Sequence, residues 1–205
     1  MEKSIVPSKI RLSARDKVLD ASVRLFSEVG YFRTSVPDIV RVSGVSIGSI
    51  YHHFKDKQGI AVALYNELTK RVGDDLERIE SEHETTKNQC RAVIEFLFEL
   101  TEKEPHTMEF MIYSKHREFL PDHMPICPSK PMARLRELVA LGIDRGEIRD
   151  MDPFVAASAI YGATFRVIQL RLDGLIPMPI TYYLDEVWEC SWRSITPDVV
   201  PTNEL

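Results

Sequence analysis

The sequence predicts an all-α protein, and three observations carry that prediction. Apolar residues recur at the helical period in nearly every segment of the 205 residues. No stretch alternates apolar and polar side chains as a half-buried strand does. Stop and start residues (Gly30, Gly44, Gly146, Pro105 and Pro153) fall where one periodic segment gives way to the next. A hydrophobic fraction of 44% is ordinary for a soluble globular chain. No run of about 18 apolar residues appears, so no transmembrane helix is expected. The opening MEKSIVPSKIR lacks the apolar middle of a signal peptide, which predicts a cytoplasmic protein.

The first helix is expected over 13–29, with Val18, Leu19, Ser22, Leu25, Phe26 and Val29 on one face and Gly30 as its stop. Ser35 caps a second helix, with Asp38 in a capping-box position and Pro37 tolerated in the first turn. Ile39, Val40 and Val42 are its expected buried face. Gly44 makes the turn Ser43-Gly44-Val45, where a left-handed backbone suits glycine. Ser46 caps a third helix, in which Ile47 and Ile50 pack inward and Phe54 closes a small core. Asp56 caps a long fourth helix to about residue 78, with Ile60, Leu64, Leu68 and Val72 at helical spacing.

Beyond it, 86–103 is amphipathic through Val93, Ile94, Phe96, Leu97 and Leu100. Pro105 ends that helix and starts the next, HTMEFMIYSKHREF. The segment 120–131 holds four prolines and reads as a loop. Helices follow at 132–145, 153–172 and 181–194, and the tail from Pro197 is expected to fray. Cys90, Cys127 and Cys190 are odd in number and widely spaced, which predicts reduced thiols. The organisation is a head, 1–57, and a larger helical body, 58–205.

Charge separates the two. The net charge is −5, yet residues 1–57 hold ten Lys and Arg against six Asp and Glu, leaving the head at +4 and the body at −9. Phosphate responds to that local field, not to the whole-chain sum. The third helix turns small, polar and aromatic groups outward: Gly48, Ser49, Tyr51 and His52. A helix so short and so polar suits the edge of a DNA duplex better than a core.

The run RDKVLDASVRLFSEVGYFRTSVPDIVRVSGVSIGSIYHHFKDK resembles the N-terminal domain of TetR-family transcriptional regulators. The likeness rests on Phe26 and Gly30, Thr34-Ser35, Gly44-Val45-Ser46, and Tyr51-x-His53-Phe54-x-x-Lys57. It implies a helix-turn-helix head that reads the major groove. Chemistry and resemblance together assign Ser46, Gly48 and Ser49 to the start of the recognition helix, with Ser49 reaching base edges or phosphate. Tyr51 and His52 are assigned to phosphates, and Lys57 to a phosphate at the fourth helix start. Thr34 and Ser35 are placed likewise at the second helix, and Arg15, with Lys9 and Arg11, supplies sequence-blind affinity. Rival readings are a core role for Tyr51 and an ion pair for Arg15. His53 is expected half-buried between helices. His52 and His53 point about 100° apart and are not expected to share a metal.

The 153–172 helix is apolar nearly all round, so one side should meet the body core and the other a second subunit. Ala156, Ala159, Gly162 and Ala163 form a small-residue ridge, and the last helix adds Tyr182, Val187, Trp188 and Trp192. A four-helix homodimer interface follows, which the resemblance also implies, and with it a roughly palindromic double-stranded operator. The resemblance further implies a small-molecule effector pocket in the body. Its candidate apolar lining is Phe96, Leu100, Met108, Met111 and Ile112; its candidate polar contacts are Tyr113, His116, Tyr161, Arg166 and Gln169. Plain core is the rival for the Met and Phe stripes, and a salt bridge the rival for Arg166. His106, His116, His123 and Cys127 are too scattered for zinc, and no catalytic or cofactor motif appears, so no metal, cofactor or enzymatic activity is expected. The expectation is a dimeric repressor released by its effector. The alternatives are an activator or ligand-independent regulator, or a small-molecule binding protein with a vestigial head.

Overall fold

A computed structural model describes residues 12–120 and 130–196, the Lys130 side chain excepted. Lys9, Arg11, His123, Cys127 and the tail from Pro197 lie outside the described residues. Among those described there are nine α-helices and no strand: α1 Ala14–Glu28, α2 Val36–Ser43, α3 Ile47–Phe54, α4 Lys57–Glu82, α5 Thr86–Lys103, α6 Pro105–Tyr113, α7 Lys130–Asp144, α8 Pro153–Leu172 and α9 Leu184–Arg193.

Local chemistry sets the head. Ser13 with Asp16 and Ser35 with Asp38 form capping boxes, while Ser46 and Asp56 cap α3 and α4. Gly44 ends α2 at φ +67°, the left-handed turn that glycine allows. Val18, Phe26, Ile39, Ile50, Phe54, Ile60 and Leu64 make one buried core. Val29, Val42 and Ile47, expected inside, are exposed. They sit at helix ends beyond the edge of this small core, and Val36 and Val45 take buried places instead.

The joint between α3 and α4 is unusually constrained. Lys55 adopts φ 64°, ψ −49°, and the Asp56 N–H donates to the Phe54 carbonyl at 2.8 Å. That is a γ-turn of the strained, positive-φ kind. A Cβ on Gly59 would lie 1.8 Å from the same Phe54 oxygen, so only glycine fits there. Nearby, the Lys57 ammonium donates to the carbonyls of Tyr31 at 3.0 Å and Thr34 at 2.9 Å, and lies 4.2 Å from the Tyr31 ring centroid. One side chain thus ties the α1–α2 loop to the start of α4.

α4 runs on to Glu82, a turn beyond the expected end, and serves both cores. Ile60, Ala61, Leu64 and Leu68 belong to the head; Val72, Leu76 and Ile79 belong to the body. α5 is the centre of the body, touching α4, α6, α7, α8 and α9. The helix expected through Phe119 stops at Tyr113, because Ser114 is extended, and a 3-10 turn follows at His116–Glu118. The fold-back drops His116, Phe119 and Leu120 into the interior. α7 starts at Lys130, slightly before the expected residue 132, with Pro131 in the first turn where its missing N–H is harmless. The last helix is split, a 3-10 turn at Ile180–Tyr183 leading into α9.

Two stability predictions follow from the α3–α4 joint. Gly59→Ala is expected to cost about 1–3 kcal/mol, the usual range for overpacking, and to lower the CD melting temperature by several degrees. Lys57→Met keeps the stem but abandons two carbonyls; urea denaturation should show a loss of roughly 1–3 kcal/mol at unchanged m-value.

Candidate nucleic-acid interface and internal cavity

The outward face of α3 is built as a presented surface. The Ser49 N–H donates to Ser46 Oγ at 3.3 Å, closing the first turn. Ser46, Gly48, Tyr51 and His52 are exposed and Ser49 is half-buried. Tyr51, at 47% exposure, is no core residue. Gly48 has no atom within 4 Å of a would-be Cβ, and its backbone is helical. Nothing inside the molecule therefore requires glycine there, although glycine weakens a helix by roughly 0.5–1 kcal/mol relative to alanine. The space that it leaves lies outside the chain. His53, expected between helices, is exposed, its ring edge-on to His52 at 5.4 Å.

Three assigned residues are engaged inside the head. Thr34 is only 2% exposed, and its hydroxyl donates to the carbonyls of Gly30 at 2.9 Å and Leu25 at 3.3 Å. Its side chain braces the loop and is not available to a phosphate. Lys57 spends two ammonium hydrogens on carbonyls, and burial holds its pKa below the ordinary lysine value. The phosphate clamp assigned to it becomes an internal staple. Ser35 stays at the surface, but its hydroxyl lies 2.5 Å from Asp38 Oδ2. The Ser35 side chain and backbone, then Arg41, hold the Asp38 carboxyl down at about 2. Arg15 pairs with Glu67 at 3.2 Å, as its rival reading had it. An exposed pair of this kind is worth at most about 1 kcal/mol, so it leaves Arg15 free to exchange partners. Lys55, overlooked in the sequence, is exposed at the end of α3, its N–H donating to the Tyr51 carbonyl at 3.0 Å. The positive-φ turn that aims it leaves no mark in the composition.

In the body a cavity of ≈ 220 Å³ lies among α4, α5, α6, α7 and α8. Met108, Met111, Ile112 and His116 line it as expected. The other candidates are placed elsewhere. Phe96 and Leu100 pack in the body core. Tyr161 is buried, its hydroxyl 3.5 Å from Cys90 Sγ. Tyr113 is exposed, donating to Asp173 Oδ1 at 2.7 Å and lying 3.3 Å from the Gln169 carbonyl. Burial first, then the Asp173 carboxylate, pushes the Tyr113 hydroxyl up to about 12. Arg166 is exposed, so it is not the buried charge its apolar neighbours suggested. The sequence reading missed the α4 wall of Tyr65, Leu68, Thr69, Val72 and Leu76, together with Leu135 and Phe165. Helical spacing had marked Leu68 and Val72, but one stripe serves core and cavity alike.

The cavity wall continues into the head. His116 packs against the rings of Tyr65, Phe110 and Phe119 at 5.1, 5.0 and 5.7 Å. Phe119 stacks on Tyr31 at 4.4 Å, and Phe110 stacks on Phe26 at 6.2 Å. Gln58 donates to the Phe119 carbonyl at 3.0 Å. His106 bridges α6 to α1, with Ser27 Oγ at 3.2 Å and Glu28 at 3.4 Å.

On the far side, α8 is not covered all round by its own chain. Phe154 at 64% exposure, Val155, Gly162 and Ala163 face outward, and Ala159 is half-buried. Ala156 is fully buried, and Val187, Trp188 and Trp192 are buried, the two indoles stacking at 5.1 Å. Those four belong to the single-chain core and not to an outer face. Tyr182 is exposed.

Among the described residues no group of His, Cys, Asp and Glu could hold a metal ion, and no helix is long and apolar enough to cross a membrane. The comparisons agree with the two-part architecture. Residues 18–64 match the family described as bacterial regulatory proteins, tetR family, and residues 65–197 match the tetracyclin repressor-like C-terminal domain. The chain is 29% identical over 160 residues to the fatty acid metabolism regulator protein of Bacillus subtilis, covering 71% of this chain and 77% of that one. It is 34% identical over 86 residues to a biofilm-operon negative transcriptional regulator of Staphylococcus aureus, covering 42% and 44%. A structure of the Bacillus subtilis regulator FadR in complex with stearoyl-CoA shares the fold at TM-score 0.67 and 22% identity, over 85% of this chain and 96% of that one. Both domain matches together span nearly the whole sequence, and the chain belongs to the TetR family of DNA-binding transcriptional regulators.

Proposed function

We propose that the protein is a homodimeric repressor, released from a roughly palindromic operator when a small apolar effector enters the body cavity. The observation that carries this is the shared wall: Phe110 and Phe119 belong to the head core while His116 and Phe110 line the cavity. An effector that spreads that wall displaces the head. A head (1–57) and a body (58–205) are then the moving parts, joined by α4. The Staphylococcus aureus relative is named a negative regulator, which supports the sign.

DNA contact is assigned to Ser46, Gly48, Ser49, Tyr51 and His52, with Ser35 and Arg15 at the flanks. Lys55 replaces Lys57 as the phosphate cation. The dimer is assigned to the outward stripe of α8, Phe154, Val155, Ala159, Gly162 and Ala163, with Tyr182 at its side. Gly162 has no atom within 4 Å of a would-be Cβ, so a second helix backbone has room to approach there.

Size narrows the effector. The Bacillus subtilis neighbour was solved with stearoyl-CoA. A cavity of about 150 Å³ is known to hold benzene, so the ≈ 220 Å³ here suits about nine heavy atoms. A long acyl chain would have to push its walls apart.

Genomic fragments selected on the protein should contain inverted repeats, and operator affinity should fall when Tyr51→Phe or Lys55→Ala is introduced. Lys55→Ala should also reduce the log–log salt slope by about 1. Gly48→Ala is the sharper case: a melting temperature raised by about 1–3 °C, together with weaker operator binding. A stabilised variant with full affinity would remove α3 from the groove. For the dimer, Gly162→Glu should shift sedimentation velocity from dimer to monomer and leave helical CD unchanged.

A further inference from the structure

Among the described residues that line the cavity, His116 is the only one whose side chain carries nitrogen. It is 9% exposed, and its Nε2 is sealed from solvent with no hydrogen-bond partner among the described residues. The other described walls are hydrocarbon, thioether and aromatic surface, broken by the hydroxyls of Tyr65 and Thr69. A buried polar atom left without a partner is destabilising, and native interiors avoid it unless something external completes the bond.

The state of the ring decides what it asks for. Burial lowers its pKa, so the neutral imidazole is favoured; a hydrogen bond to the Phe110 backbone pulls weakly the other way. A backbone group that favours the protonated ring is an accepting carbonyl. A neutral ring protonated at Nδ1 offers a lone pair at Nε2. Among the described residues no cationic side chain lines the cavity.

We propose that His116 is protonated at Nδ1, that its Nε2 is the polar anchor of the effector, and that the effector is an apolar molecule of about nine or ten heavy atoms bearing a hydroxyl donor. The inference rests on the cavity being the effector site. A hydrocarbon or an ether leaves Nε2 unpaired, and a carboxylate brings a charge into a pocket where no described residue offers a cation. The preference for a donor comes from one atom, whereas affinity for the apolar part comes from the walls. The two contributions are therefore separable by experiment.

Calorimetric titration of the full-length protein at neutral pH with 4-propylphenol, 4-propylanisole, propylbenzene and 4-propylbenzoate tests this. The wild type should bind the phenol about tenfold tighter than the anisole or propylbenzene, one hydrogen bond's worth, with the benzoate weakest. In His116→Phe, which keeps a ring among Tyr65, Phe110 and Phe119, the three neutral probes should converge to within about twofold while still binding. His116→Leu serves as the second variant, and CD melts report whether each is folded. Equal affinity of the wild type for phenol and propylbenzene overturns the anchor and leaves the cavity site standing. So does a phenol preference that survives in His116→Phe. If no neutral probe binds the wild type, the cavity reading itself falls, and the anchor with it. Equal wild-type affinities overturn the anchor even if both variants unfold.

Discussion

The recognition head keeps its orientation because its core does not end at the head. Phe26 and Tyr31, from α1 and the loop after it, stack on Phe110 and Phe119, from α6 and the turn beyond it. Phe26, Phe110 and Phe119 are each at most 5% exposed. Burying a side chain of that size is worth about 1.5–3 kcal/mol, and a well-placed ring pair adds roughly 0.5–1.5 kcal/mol. Rotating the head away would open this shared interior to water, so the two domains move as neighbours that must repack together. The Lys57 staple on Tyr31 and the Gln58 bond to Phe119 hold polar atoms at the same seam.

That seam gives the cavity its leverage. Close-packed interiors switch between arrangements rather than deform smoothly, so a ligand that prefers one placement of Phe110 biases the placement of α1. The free energy available is the ligand's differential affinity for the two arrangements and no more. His116 sits at this point, on the 3-10 turn, with one side toward the cavity and its ring against Phe119. A hydrogen bond gained there acts through Phe119, which stacks on Tyr31. On the outward face of the head, small residues at the start of α3 and a constrained γ-turn at Lys55 fix how the helix is presented.

Most of the fold was legible in the sequence because capping chemistry is local. Ser35–Asp38, Gly44, Ser46 and Asp56 mark their helix ends, and α5 and α8 fall at their expected bounds. The exposure of Gly48, Tyr51 and His52 was legible for the same reason: an eight-residue helix has few ways to hide polar groups. What escaped depends on distant partners. Lys57 reads as a surface cation until the Tyr31 and Thr34 carbonyls are brought to it across more than twenty residues. Trp188 and Trp192 read as interface because nothing local shows that α5 and α8 cover them. Arg166 reads as buried because its neighbours along the chain are apolar, yet it lies on the uncovered side of α8. Twelve of the sixteen described lining residues were missed because helical periodicity marks what is buried and does not distinguish filled space from empty space.

Reciprocal linkage between the two sites is the most direct test of a shared interior. The affinity of 4-propylphenol should be measured on free protein and on protein saturated with a selected operator fragment, for the wild type and for Phe119→Ala. Wild-type protein should bind the phenol more weakly when DNA is bound, by the same factor by which the phenol weakens DNA binding. Phe119→Ala should keep both ligands and bring that factor close to one. Equal phenol affinity with and without DNA in the wild type, or an undiminished factor in Phe119→Ala, would contradict the account.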